Sequence, residues 1–140
     1  APRPSPQDIN EIFYEAMRLF SEESYDEAIE LYGKILEFKT LKNEAERKTF
    51  EKAHFELGRC FHKKRNYKEA LNSFSAMIKK FPNTEFMKNA YLYIGMVFEE
   101  TKNFDKAAGY YQRVASMEPR DQINKDAANR LARIQRNQGK

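Results

Sequence analysis

Apolar and small residues recur along this chain at spacings of three and four, in blocks separated by short polar turns. The block at 57–82 reads LGRCFHKKRNYKEALNSFSAMIKKFP, and 94–119 repeats it as IGMVFEETKNFDKAAGYYQRVASMEP. Gly58 aligns with Gly95, Phe61 with Phe98, Tyr67 with Phe104, Ala70 with Ala107, Phe74 with Tyr111 and Pro82 with Pro119, each pair 37 residues apart. A looser copy comes earlier, in Ala16, Leu19, Tyr25, Ala28, Tyr32 and Ile35, with 42 residues from Ala28 to Ala70. Spacings of three and four place these residues on one helical face. Each copy therefore predicts two antiparallel helices joined by a turn. Two helices that cross closely need a small residue on each side, so Gly58 is expected to meet Ala70 and Gly95 to meet Ala107.

Polar residues mark the helix starts. Asn43 with Glu46 reads as a capping box, as do Ser24 with Glu27 and Asn66 with Glu69, and Asn103 can cap a sixth helix. The predicted helices run over 8–22, 25–39, 43–64, 67–81, 84–101, 104–117 and 121–137. Residues 1–7 (APRPSPQ) cannot begin a helix and read as a linker or a remnant. The last helix carries Ala127, Ala128, Leu131, Ala132 and Ile134 on one side and charges elsewhere. It resembles the terminal helix that shields the last apolar face of a repeat stack.

The repeated signature Ala16, Ala28, Gly58, Ala70, Pro82, Gly95, Ala107 and Pro119 resembles the tetratricopeptide-repeat (TPR) consensus, whose period is about 34 residues. The resemblance implies an all-α, right-handed TPR solenoid. Its three helix-turn-helix repeats would cover about 8–42, 43–83 and 84–120, with a capping helix at about 121–137. The stretches FPNTEFMKNAYLYIG and EPRDQINKDAANRLARI narrow the comparison. They resemble the periplasmic TPR domain of the cell-division coordinator that accompanies the Tol–Pal system (the CpoB/YbgF family) and the outer-membrane assembly lipoprotein BamD. That resemblance implies a cell-envelope scaffold.

Composition bounds the alternatives. Hydrophobic residues make up 41% and charged ones 33%, enough apolar side chains for a core in a chain of 140 residues. No stretch approaches the roughly 18 apolar residues of a membrane span. The chain starts at Ala1 without Met and shows no signal peptide, as a processed piece would. Cys60 is the single cysteine, so an internal disulfide is excluded and the compartment stays open. Charge is unevenly distributed: 8–37 holds nine acids and two bases, a net of −7, whereas 38–140 nets +10. An acidic end and a basic remainder bear on partner choice more than the total of +4 does.

No catalytic constellation stands out, and no enzymatic activity, cofactor or metal is expected. His54 and His62 lie eight apart on one helix, with Glu51 and Glu56 near, but lack a ligand set. Cys60 sits mid-helix and reads as a buried inert thiol. The run His62-Lys63-Lys64-Arg65, with Lys68, Lys79 and Lys80, could touch nucleic acid or anionic lipid, but fits better a solvated turn and a helix end where cations are favoured.

Function is then expected on the first helix of each repeat, which lines the concave groove in TPR stacks. TPR geometry places Asn10, Phe13, Tyr14 and Met17 there in repeat one. Repeat two contributes Lys52, Phe55, Glu56, Arg59, His62 and Lys63, and repeat three Asn89, Leu92, Tyr93, Met96, Glu99 and Glu100. Phe13, Phe55 and Leu92 could equally pack between repeats. The positions that grip a chaperone's C-terminal carboxylate in other TPR proteins hold Phe13, Met17, Glu56, Asn89 and Tyr93 here. None is basic, which argues against such a ligand. The expected partner is a protein or peptide segment, apolar with mixed charge. The expected role is a bacterial cell-envelope or periplasmic scaffold. A cytoplasmic or motor-associated TPR adaptor, or a basic-surface binder of nucleic acid or anionic lipid, is the alternative, and association with further copies stays open.

Overall fold

The computed structural model describes residues 8–139. The segment 1–7, read as a linker or remnant, lies outside them. Seven α-helices and no strand occur among the described residues: α1 (Ile9–Ser21), α2 (Tyr25–Leu36), α3 (Glu44–Lys63), α4 (Tyr67–Lys80), α5 (Met87–Glu100), α6 (Phe104–Ala115) and α7 (Gln122–Gln138). The all-α expectation holds. Helix α5 starts three residues later than the sequence predicts, because the Thr84 hydroxyl accepts the Phe86 N–H at 3.2 Å and holds the preceding segment as a turn.

The chain divides into two compact units, one ending at Met77 and the other starting at Ile78. In the first unit α1 packs on α2 and both pack on α3. In the second, α6 packs between α5 and α7. Each hairpin is centred on a fully buried aromatic ring: Tyr32, Phe74 and Tyr111. The glycines explain how the rings fit. A Cβ at Gly58 would lie 2.5 Å from the Phe74 ring, and one at Gly95 would lie 2.7 Å from the Tyr111 ring. The atoms nearest to a Cβ at these glycines belong to the rings, and Ala70 and Ala107 on the same helices as the rings are fully buried. Ala28 is buried in the same way, while Pro82 and Pro119 lie exposed in the loops.

The turn inside each repeat is built identically. Glu23, Arg65 and Lys102 adopt φ of 62°, 61° and 65°. The residue after each donates back five positions: Ser24 N–H to the Leu19 carbonyl (2.8 Å), Asn66 N–H to Phe61 (2.9 Å) and Asn103 N–H to Phe98 (2.8 Å). This is a Schellman turn with a charged residue where glycine is usual. It also corrects two expected caps. Ser24 and Asn103 make no side-chain cap bond, and their ψ values of 66° and 75° lie well short of the extended backbone of the residues that do cap. Asn43 does cap α3, accepting from Glu46 N–H at 2.9 Å, and Glu46 in turn accepts from Lys42 N–H at 2.8 Å.

Candidate partner-binding faces

In the first unit the predicted face lies on α1 and α3. Asn10 accepts the Thr49 hydroxyl at 2.8 Å, which ties α1 to α3. Phe13 is buried, edge-on to Tyr32 with centroids 5.7 Å apart and capped by Lys52 Nζ at 5.5 Å. Tyr14 and Met17, one helical turn apart, project outward and are 69% and 41% exposed. On α3, Phe55 is buried against Phe74 at 5.8 Å. Glu56 is also buried and accepts from Arg59 Nη1 at 2.8 Å, while the Arg59 guanidinium lies 4.7 Å over the Phe20 ring. Burial pushes the Glu56 carboxyl above its ordinary value, and Arg59 and Lys52 pull it only partly back. The Arg59 cation is therefore engaged inside the chain. His62 packs near Tyr67 at 6.3 Å, and Lys63 is exposed.

In the second unit the face lies on α5 and extends to α7. Leu92 is buried with Ala107, Tyr111 and Val114. Asn89, Tyr93 and Met96 are half-buried, and Glu100 is exposed. Glu99 is a junction: it accepts the Tyr111 hydroxyl at 2.7 Å and Arg133 Nη2 at 2.6 Å. Its charge is held internally by these two donors. Arg130 pairs with Asp126 at 3.0 Å. Sequence reasoning missed the contribution of α7. Adding the 37-residue repeat spacing to Asn89, Tyr93 and Met96 lands on Asp126, Arg130 and Arg133. It also missed a buried polar plug behind this face. Lys88 Nζ donates to the Pro119 carbonyl and to Asn124 Oδ1 (2.8 Å), and it pairs with Asp121 (3.1 Å). Asn124 Nδ2 then donates to the Val114 and Met117 carbonyls at 2.9 and 2.7 Å, closing the end of α6.

The remaining candidates have structural surroundings. His54 is edge-on to Phe50 at 5.1 Å. No group of three or more His, Cys, Asp or Glu able to hold a metal occurs among the described residues. Cys60 is fully buried, and burial pushes its thiol up to about 12, far from the thiolate a nucleophile needs. In the basic run, Lys64 pairs with Asp26 and Arg65 forms the turn residue. No helix among the described residues is long and apolar enough to cross a membrane.

Residues 38–140 match the family described as Tetratricopeptide repeat-like domain. The chain belongs to this family. Solved TPR-type structures carry the likeness further along the chain, as fold alone. PcrH from Pseudomonas aeruginosa superposes with a TM-score of 0.75 at 12% identity, covering 95% of this chain and 96% of that one. PcrH in complex with the chaperone-binding region of PopD gives 0.75 at 13% identity, covering 99% of each chain. MamA from Desulfovibrio magneticus RS-1 gives 0.63 at 17% identity, covering 92% of this chain and 75% of that one. No curated protein sequence matches this TPR-like chain.

Proposed function

We propose that this TPR-like domain is a non-catalytic scaffold that recruits partner proteins by docking an apolar segment on the first helices of its repeats. The observation that carries this reading is α1. Most large apolar side chains of the described residues are at least partly covered, yet Tyr14 and Met17 stand exposed on one face. Both are suited to contact, since an aromatic ring offers large area at low entropy cost and Met adapts to irregular shapes. Tyr93 and Met96 offer a similar but half-buried pair on α5. Burial of Phe13 and Glu56 removes two of the positions a carboxylate clamp would need. That a solved neighbour of this fold is described in complex with a segment of another protein supports the peptide-binding reading.

We further propose a cell-envelope location, supported by the two loop stretches that resemble periplasmic TPR domains. Photo-crosslinking tests the binding role. A crosslinker at position 14 or 17 should trap a discrete partner, and one at the exposed Ser75 on α4 should not. Equal trapping from all three positions would contradict the assigned face. Fractionation of cells expressing the full-length gene tests the location, and recovery solely in the cytoplasm would contradict it.

A further inference from the structure

Two glycines in this chain sit mid-helix with no packing reason inside the molecule. A Cβ built at Gly33 on α2 or at Gly109 on α6 finds no atom within 4 Å, unlike Gly58 and Gly95, which are pressed by rings. A mid-helix glycine is destabilising relative to alanine, so an uncovered one calls for a close approach from outside. The charges flanking the two glycines are complementary. On α2, Glu30 precedes Gly33 by three residues and Glu37 follows it by four. On α6, Lys106 precedes Gly109 by three and Arg113 follows it by four. In both helices these three positions share one face, and on α2 that face is opposite the buried Ala28, Tyr32 and Ile35.

All four charged residues are exposed, and none has an ion-pair partner among the described residues. Lys106 Nζ instead lies 5.3 Å over the Phe98 ring, and the Arg113 guanidinium 5.0 Å over Tyr91. With Gly109 and Tyr110 they line a surface recess of 330 Å³. Charges seven residues apart on a helix are separated by about 10.5 Å along its axis, so the two pairs have matching reach.

We propose that the protein self-associates head to tail. The Glu30–Gly33–Glu37 face of α2 in one copy seats on the Lys106–Gly109–Arg113 face of α6 in the next, glycine against glycine and carboxylate against cation. The uneven charge of the chain, acidic over 8–37 and basic beyond, favours this occupant over an unrelated acidic protein. The two faces differ, so the contact is heterologous and propagates into short open chains or a ring. One helix pair buries less than the roughly 1,200 Å² of a stable interface, so the association is weak, concentration-dependent and sensitive to salt.

Sedimentation velocity on the full chain tests this. The weight-average coefficient should rise with concentration at low salt, and the rise should shrink at high salt. Glu30→Lys with Glu37→Lys should weaken association at least tenfold, as should Lys106→Glu with Arg113→Glu. Mixing the two variants should restore association, because each then supplies the charge the other lacks. Gly33→Leu should abolish it without lowering the melting temperature, which separates contact from folding. A wild-type chain that stays monomeric up to about millimolar concentration overturns the proposal. So does association that survives either reversal, or reversal variants that fail to reassociate when mixed while both retain full helicity.

Discussion

Tyr32 in the first unit and Tyr111 in the second occupy corresponding positions, and both are fully buried, yet their hydroxyls have different surroundings. Tyr111 donates to Glu99, which also holds Arg133, so the ring is tied to a polar network joining α5, α6 and α7. The Tyr32 hydroxyl is buried and makes no hydrogen bond among the described residues, with Glu56, Arg59 and Cys60 around it. Repetition thus conserves the ring and its packing but not the use of its polar end. The second unit spends its face charges on internal order. The first leaves Tyr14 and Met17 uncovered, and its buried Glu56 binds Arg59 locally.

The largest expected effect tests what the units share. Ala70→Leu and Ala107→Leu should each destabilise the fold by about 1–3 kcal/mol, because added methylenes in a filled hairpin force strain. Equal neutrality at both, read by urea unfolding, would mean the packing register is wrong. The next test separates the units. Tyr111→Phe removes a hydrogen bond to a carboxylate and should cost about 1.5 kcal/mol. Tyr32→Phe removes a hydroxyl that makes no such bond and should be neutral or stabilising. Equal losses at the two sites would erase the contrast.

Much of the fold was legible because the pattern of small residue, Ala and aromatic ring is a direct record of hairpin packing. The Asn43 cap was legible too, since its extended backbone, with no left-handed residue before it, aims the side chain at the helix start. Ser24 and Asn103 misled for a local reason. Their own N–H groups close a Schellman turn, and the left-handed residue before each sets a backbone that does not aim the side chain at the helix start. Helical periodicity also placed Phe13, Phe55 and Leu92 on the expected face without showing how deep they sit. Depth depends on the neighbouring helix, which a single-helix pattern does not contain. The buried Lys88 was invisible for the same reason: its partners lie more than 30 residues away, in Pro119, Asp121 and Asn124.

Smaller effects sharpen the comparison further. Arg65→Gly in the first unit and Lys102→Gly in the second relieve a left-handed backbone that side chains disfavour. After the entropy cost of glycine, each should gain about 0.5 kcal/mol. A loss at either would show that the side chain contributes more than its backbone costs. Glu56 gives the subtlest test. Its folded carboxyl binds a proton more tightly than the unfolded one, so wild-type stability falls as pH rises through the range between the two. Glu56→Gln should therefore gain over the wild type as pH rises from the ordinary carboxylate range toward neutrality, and show no gain at the acid end. An advantage that does not depend on pH would contradict the buried-carboxylate account.

Partner affinity tests the scaffold reading most directly. With a captured partner in hand, Kd is measured for the wild type and for Tyr14→Ala with Met17→Ala, with helicity checked by circular dichroism. The same is done for Tyr93→Ala with Met96→Ala. The account predicts at least a tenfold loss, about 1.4 kcal/mol, for the exposed α1 pair with helicity and melting temperature unchanged. For the half-buried α5 pair it predicts a loss of affinity accompanied by a lower melting temperature. Wild-type affinity in a fully folded Tyr14→Ala, Met17→Ala variant would contradict it.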